Sequence, residues 1–177
     1  MKQHLFLTGE KGIGKSTLIQ TWLSQYQGQI GGFLTCKQGG IQEGKISVHL
    51  LTLGRDMVPS ASNLLFVCGE QNQPETIKRF HTVGCQALEF TKKPDLIVMD
   101  ELGPHEEHAV YFTGKVLNIL NSSIPVIGVV QKTNSDFLLR VAEHPRVRMQ
   151  EVTIENRNHL ARQTIGQLLH LSKENER

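Results

Sequence analysis

The chain has 177 residues, 38% hydrophobic and 20% charged, a balance that suits one globular domain over residues 1–177 and excludes a long disordered or low-complexity polypeptide. Lys plus Arg (19) nearly offsets Asp plus Glu (17); the net charge of +2 disfavours nucleic acid as a partner, and the five arginines between Arg140 and Arg162 read as solvated surface. No apolar run approaches the ~18 residues that span a bilayer, no signal-like stretch follows Met1, and Cys36, Cys68 and Cys85 are spaced for neither a disulfide framework nor a zinc knuckle, so the expectation is a cytoplasmic protein with no membrane partner and with reduced, buried thiols.

The elements alternate between extended and helical pieces, the pattern of a wound α/β sheet. His4 to Thr8 is a short apolar run closed by Gly9, suited to a central parallel strand. Lys15 to Tyr26 places Leu18, Ile19, Trp22, Leu23 and Tyr26 on one helical stripe, ended by Gly28. Extended segments follow at Gly32 to Cys36, Lys45 to Leu53 and Leu64 to Cys68, the first two joined by a turn rich in Gly39, Gly40 and Gly44 that predicts a β-hairpin attached to the main sheet. Pro74 marks the start of a helix over Glu75 to Phe90, and Lys92-Lys93-Pro94 breaks it before the buried strand Asp95 to Asp100. A helix with Ala109, Phe112, Val116 and Leu120 inward leads to a strand over Ile124 to Val130 and a short helix over Ser135 to Ala142. The chain closes with a strand at Val147 to Val152 and one helix from Glu155 to Leu171.

Gly9-Glu10-Lys11-Gly12-Ile13-Gly14-Lys15-Ser16-Thr17 fits GxxxxGK[ST] between a predicted strand and a predicted helix, the context that makes this pattern a phosphate-binding loop. Its glycines let backbone N–H groups face an anion, and the helix N-terminus adds positive charge. Lys15 should reach the β- and γ-phosphates, Ser16 should ligate Mg²⁺, and Thr17 should contact the α-phosphate or cap the helix. Leu96 to Asp100 delivers a carboxylate at the C-terminal end of an apolar strand, where ligands bind in parallel sheets, so Asp100 is the second expected Mg²⁺ group. Glu101 can position a water for in-line attack on the γ-phosphate. Gln131 and Lys132, at the end of Val126 to Val130, are candidate sensors of that phosphate or of the water. An NKxD base-reading pattern is missing, which disfavours a strict GTPase. His105, Glu106 and His108 have the spacing of metal ligands, yet they fall in a polar turn with no matching set elsewhere and read as solvated, with Glu106 near the rim of the site.

On these segments the chain resembles the small P-loop nucleoside-triphosphatases first described from thermophiles, a family that includes the cancer-related nucleoside-triphosphatase. The resemblance runs over almost the whole length. It is carried by the loop at Gly9 to Thr17, Gly32-Phe33-Leu34-Thr35, Asp100-Glu101-Leu102-Gly103-Pro104 followed by Glu106, and Glu155-Asn156-Arg157 at the last helix. It implies a RecA-like three-layer fold, with a mostly parallel sheet, that slowly hydrolyses ATP, GTP and other nucleoside triphosphates with Mg²⁺ and little base preference. Two positions depart from the family pattern. His105 replaces a hydrophobic residue, and Gly44-Lys45-Ile46-Ser47 stands where an Arg-x-Gly-Phe segment is usual, so no catalytic arginine is assigned there. Asn156 and Arg157 follow the last strand and are candidate base or ribose contacts; the alternative is a helix N-terminus with Asn156 at its cap.

The expected reaction is cleavage of the β–γ bond, with Lys15 and Glu101 as catalytic groups and a slow rate because no arginine finger is identifiable in the chain. A protein partner could supply one. Two alternatives stay open at this level: a nucleotide-gated switch or assembly factor whose Gly39 to Gly44 hairpin orders on binding, and a nucleotide or small-molecule kinase.

Overall fold

The computed structural model describes residues 2–39, 45–70 and 73–169. Its strands are β1 (His4–Thr8), β2 (Ile30–Gln38), β3 (Ser47–Thr52), β4 (Leu64–Val67), β5 (Leu96–Leu102), β6 (Val126–Val130) and β7 (Val147–Glu151). They form one seven-stranded sheet in the order β4-β3-β2-β5-β6-β1-β7. The pairs β2–β5, β5–β6, β6–β1 and β1–β7 are parallel, whereas β3 is antiparallel to both β2 and β4. The predicted hairpin is therefore β2–β3, and it extends the sheet on one side; of its glycine-rich turn only Gly39 falls within the described residues, so any ordering of that turn lies outside them.

Alternation along the strands divides the core into two layers. Leu5, Leu7, Leu96, Val98, Ile127 and Val129 face helix α1 (Lys15–Leu23), whose Leu18, Ile19 and Trp22 pack on them together with Leu160, Ile165 and Leu168 from the C-terminal segment. The alternate positions Phe6, Phe33, Ile97 and Met99 face the opposite layer, where α4 (Val110–Leu120) and α5 (Asp136–Ala142) supply Phe112, Val116, Leu120, Phe137 and Val141. Helix over sheet over helix is the expected three-layer arrangement.

The segment predicted as one helix after Pro74 is α2 (Gln73–Arg79), a π-helical turn at Phe80–Gly84 and the short α3 (Cys85–Ala87). The wide turn falls where α4 presses closest: a β-carbon on Gly84 would stand 2.8 Å from the Phe112 ring.

The C-terminal expectation of one helix from Glu155 to Leu171 is corrected. The structure has two short helices, α6 (Arg157–Leu160) and α7 (Ile165–Leu168), and residues beyond 169 lie outside those described. The indole N–H of Trp22 donates to the Leu160 carbonyl at 3.0 Å, and Thr164 opens the second helix. The Thr164 amide donates to Gln167 Oε1 while the Thr164 hydroxyl accepts from the Gln167 amide, a reciprocal capping box that starts a new helix at the point where the first one stops.

The cysteine expectation is corrected too. Cys36 and Cys85 are half-buried and Cys68, just past the edge strand β4, is exposed; all three are free thiols. Among the described residues no helix is long and apolar enough to cross a membrane.

Candidate active site

The site lies at the carboxyl ends of the parallel strands. The turn leaving β1 is fixed by glycines: at Gly9 φ is +134° and a β-carbon would come within 2.6 Å of the Val152 carbonyl oxygen, and Gly14, at φ +106°, caps α1 in a conformation that disfavours a side chain. The loop thus wraps the N-terminus of α1. Lys15, the first residue of that helix, is buried, and its ammonium donates to the carbonyls of Gly9 and Glu10, each at 2.8 Å. Of the loop residues singled out in the sequence, Gly9, Glu10, Lys11, Gly12, Gly14, Lys15, Ser16 and Thr17 line a pocket of about 740 Å³. Ile13 instead packs against the α1 layer of the core.

The Ser16 hydroxyl donates to Asp100 Oδ1 at 3.1 Å, joining the loop to β5 across the intervening β6. Asp100 is almost fully buried. Burial pushes its pKa up to about 6, the Glu101 charge adds to that, and the Ser16 hydrogen bond and Lys15 oppose it. A buried carboxylate aligned with a hydroxyl offers hard oxygen donors and leaves negative charge incompletely balanced, which fits Mg²⁺, a cation held by one or two protein groups together with phosphates and water.

A bulge in β5 displays the next acid. Met99 pairs with Gly128 and Leu102 with Val130, so Asp100 and Glu101 together oppose one residue of β6. Glu101 is half-buried on the pocket wall and accepts a short hydrogen bond of 2.5 Å from the Gln131 side chain. Gln131 is therefore aimed at Glu101. Lys132 also lines the pocket, and its ammonium reaches Glu151 at 3.1 Å and Glu10 at 3.8 Å, tethering the end of β6 to β7 and to the loop.

The turn after β5 forms the rim. Its 3₁₀ turn spans Pro104–Glu106. The buried Glu106 accepts from the Gly103 amide at 3.0 Å, and burial pushes its pKa up to about 8, with the Glu101 charge acting in the same direction. Glu107 fastens the rim to α5 by accepting from the Phe137 amide at 3.2 Å and from the Ser135 hydroxyl. His105 stacks on Phe66, ring centres 4.1 Å apart and planes tilted by 34°, and lines the pocket together with Glu106. His108 is exposed and does not. Among the described residues no three His, Cys, Asp or Glu side chains gather into a metal cluster.

Asn156 and Arg157 do not line this pocket. The Asn156 amide closes its own loop, accepting from the Thr153 amide at 2.8 Å and donating to the Glu151 carbonyl at 2.9 Å, and although Asn156 sits at the α6 cap it makes no side-chain capping bond. Sequence reasoning missed the far wall of the pocket: Thr35 and Lys37 of β2, Val48 of β3, Leu65 and Phe66 of β4, Cys68 and Phe80. Thr35 closes the Gly32-Phe33-Leu34-Thr35 run but carried no assigned role, and no motif marks the others, which strand register and, for Phe80, the π-helical turn bring together.

A glycine loop on β1, a helix N-terminus behind it and a hydroxyl–carboxylate pair reaching β5 define a P-loop nucleotide-binding protein of the three-layer α/β class. The chain belongs to the NTPase family, whose sequence model matches residues 4–165. The nucleoside-triphosphatase THEP1 of Thermotoga maritima is 29% identical over 169 residues, covering 93% of this chain and 94% of the relative. That of Thermofilum pendens is 27% identical over 181 residues, covering 96% and 97%. The fold is similar to the crystal structure of THEP1 from Aquifex aeolicus (TM-score 0.59, 18% identity, 89% of this chain and 94% of that one). It is similar as well to the solution structure of a human cancer-related nucleoside triphosphatase (TM-score 0.60, 21% identity, 90% and 93%).

Proposed function

We propose that this protein hydrolyses nucleoside triphosphates to diphosphate and phosphate with Mg²⁺, with little discrimination between bases and a slow intrinsic rate. The observation that carries the reading is the convergence of Lys15, the Ser16–Asp100 pair and the Gln131-oriented Glu101 at one end of the sheet.

The loop amides and the Lys15 ammonium bind the β- and γ-phosphates and stabilise the charge that spreads over the transferred group. Ser16 and Asp100 would hold Mg²⁺, which when bound neutralises phosphate charge. Glu101, fixed by Gln131, accepts a proton from the attacking water and aims it along the β–γ axis. Broad base preference follows from recognition centred on phosphate, because the Asn156 amide is spent on its own loop. Slowness follows from the lining: it contains lysines and no arginine among the described residues, and a missing arginine finger lowers rates by ~10³–10⁵. An activating partner that inserts an arginine would restore that factor.

Phosphate release from ATP, GTP, CTP and UTP with Mg²⁺ tests the reading. Release from several of them is expected, with loss in Lys15→Ala and a fall of about 10²–10⁴ in Glu101→Gln while nucleotide still binds. A wild type that binds nucleotide and releases no phosphate overturns it.

A further inference from the structure

The pocket continues past the groups that act on the triphosphate. In the hydrolase reading the γ end of the triphosphate lies at the Ser16–Asp100 pair on β5 and the nucleoside trails back over the loop that leaves β1. The remaining space lies the other way, over β2, β3 and β4. Its floor is a row set by register: Lys37 pairs with Val48, and Val48 with Phe66, so the three side chains stand side by side on one face. Thr35 lies on the same face of β2, one alternation nearer the Glu101 end. The buried Leu65 and Phe80 complete an apolar lining, Phe80 being delivered by the π-helical turn, a distortion that recurs at functional sites. The Phe66–His105 stack supplies a flat wall, and the exposed Cys68 stands at the opening. Water attacking the γ-phosphate needs none of this: an apolar floor, a flat wall and one cation at the rim are the features of a small-molecule site.

We propose that this lobe is an acceptor site. It takes a small molecule with a flat unsaturated ring, an anionic group that pairs with Lys37, and a hydroxyl directed at Glu101. The inference rests on the hydrolase reading, since the hydroxyl occupies the place of the attacking water. The hydroxyl oxygen forms a bond to the γ-phosphorus, the bond from that phosphorus to the β–γ bridging oxygen breaks, the nucleoside diphosphate leaves, and the hydroxyl proton passes to the Glu101 carboxylate. Products are a phosphate monoester and the diphosphate, and hydrolysis is the same reaction with an empty lobe.

The test uses 4-(hydroxymethyl)benzoate as probe, with Mg·ATP and the full chain, and reads the ratio of phosphate monoester to inorganic phosphate by phosphorus NMR. Propanol at equal concentration reports capture by a primary alcohol that the lobe does not recognise. The ester ratio is expected to exceed that of propanol by about tenfold or more, and to fall by a similar factor in Lys37→Gln, the size of effect expected from one charge-assisted contact. Cys68→Trp, which fills the opening, should lower the ratio as well. Ester formed no better than from propanol, or a ratio unmoved by both substitutions, overturns the acceptor site. Phosphate release that persists in that case leaves the hydrolase reading standing. Ester without release in probe-free solution overturns the hydrolase reading and keeps the acceptor site.

Discussion

In the hydrolysis proposed above, Glu101 acts as a base only if its carboxylate is aimed, and the aim comes from Gln131. Gln131 donates to it from the end of β6, whereas the neighbouring Lys132 is engaged with Glu151 and Glu10. Gln131→Ala should therefore lower kcat by about tenfold with a small change in KM, since a lost orienting bond acts on the reacting geometry and leaves ground-state binding in place. Steady-state kinetics check this, and an equal rise in KM would show that Gln131 binds nucleotide instead. Lys15, Ser16, Asp100 and Glu101 were legible in the sequence because their chemistry fixes their spacing: a phosphate loop needs glycines at set intervals, and an acid must end an apolar strand. The pairing of Gln131 with Glu101 was less so, because the end of β6 gave a position and the bulge in β5 decided what it touches. Lys37, Val48 and Phe66 carried no local signal, since the register between three successive strands, with a shift between β3 and β4, is needed to make one row.

At the scale of elements, short apolar runs closed by turn residues were sufficient to locate the seven strands, because a strand buried between two layers must feed both faces; the three-layer arrangement itself came from the family resemblance. It failed where hydrogen bonding overrode periodicity. The apolar stripe of Ala161, Ile165 and Leu168 reads as one helix, yet Thr164 and Gln167 cap each other and divide it. Substituting Thr164 by Ala removes the cap acceptor for the Gln167 amide and should cost about 0.5–2 kcal/mol. Thermal denaturation should show this as a Tm lower by a few degrees. A variant of unchanged Tm would mean that packing of Ile165 and Leu168 alone holds α7 in place.

Over the whole molecule, two buried titrating groups give stability opposite dependences on pH. His4 is buried with Nδ1 accepting from the Val126 amide at 3.2 Å, which leaves Nε2 to donate to the Leu120 carbonyl at 2.9 Å. Burial lowers its pKa from the ordinary 6.5, the Leu120 bond opposes that, and His144 and Arg146 nearby add to it. The folded state thus takes up fewer protons than the unfolded chain below pH 6.5, and this contribution to stability is lost as pH falls. Glu106 behaves in the other sense. Its folded pKa of about 8 stands above the ordinary 4.5, so its contribution is fully present below pH 4.5 and is lost as pH rises to 8. Just below pH 6.5 the two act in opposite senses, and between 6.5 and 8 Glu106 acts without His4. In that upper window each pH unit should remove up to about 1.4 kcal/mol, or roughly 3–5 °C of Tm for a chain of this size. Glu106→Gln keeps an oxygen for the Gly103 amide and has no proton to lose, so its Tm should stay level from pH 6.5 to 8 and exceed that of the wild type at the upper end. Parallel melting curves for the two proteins at several pH values settle the point. If both decline together, the alkaline loss belongs to another group, and Glu106 is ionised in the folded protein.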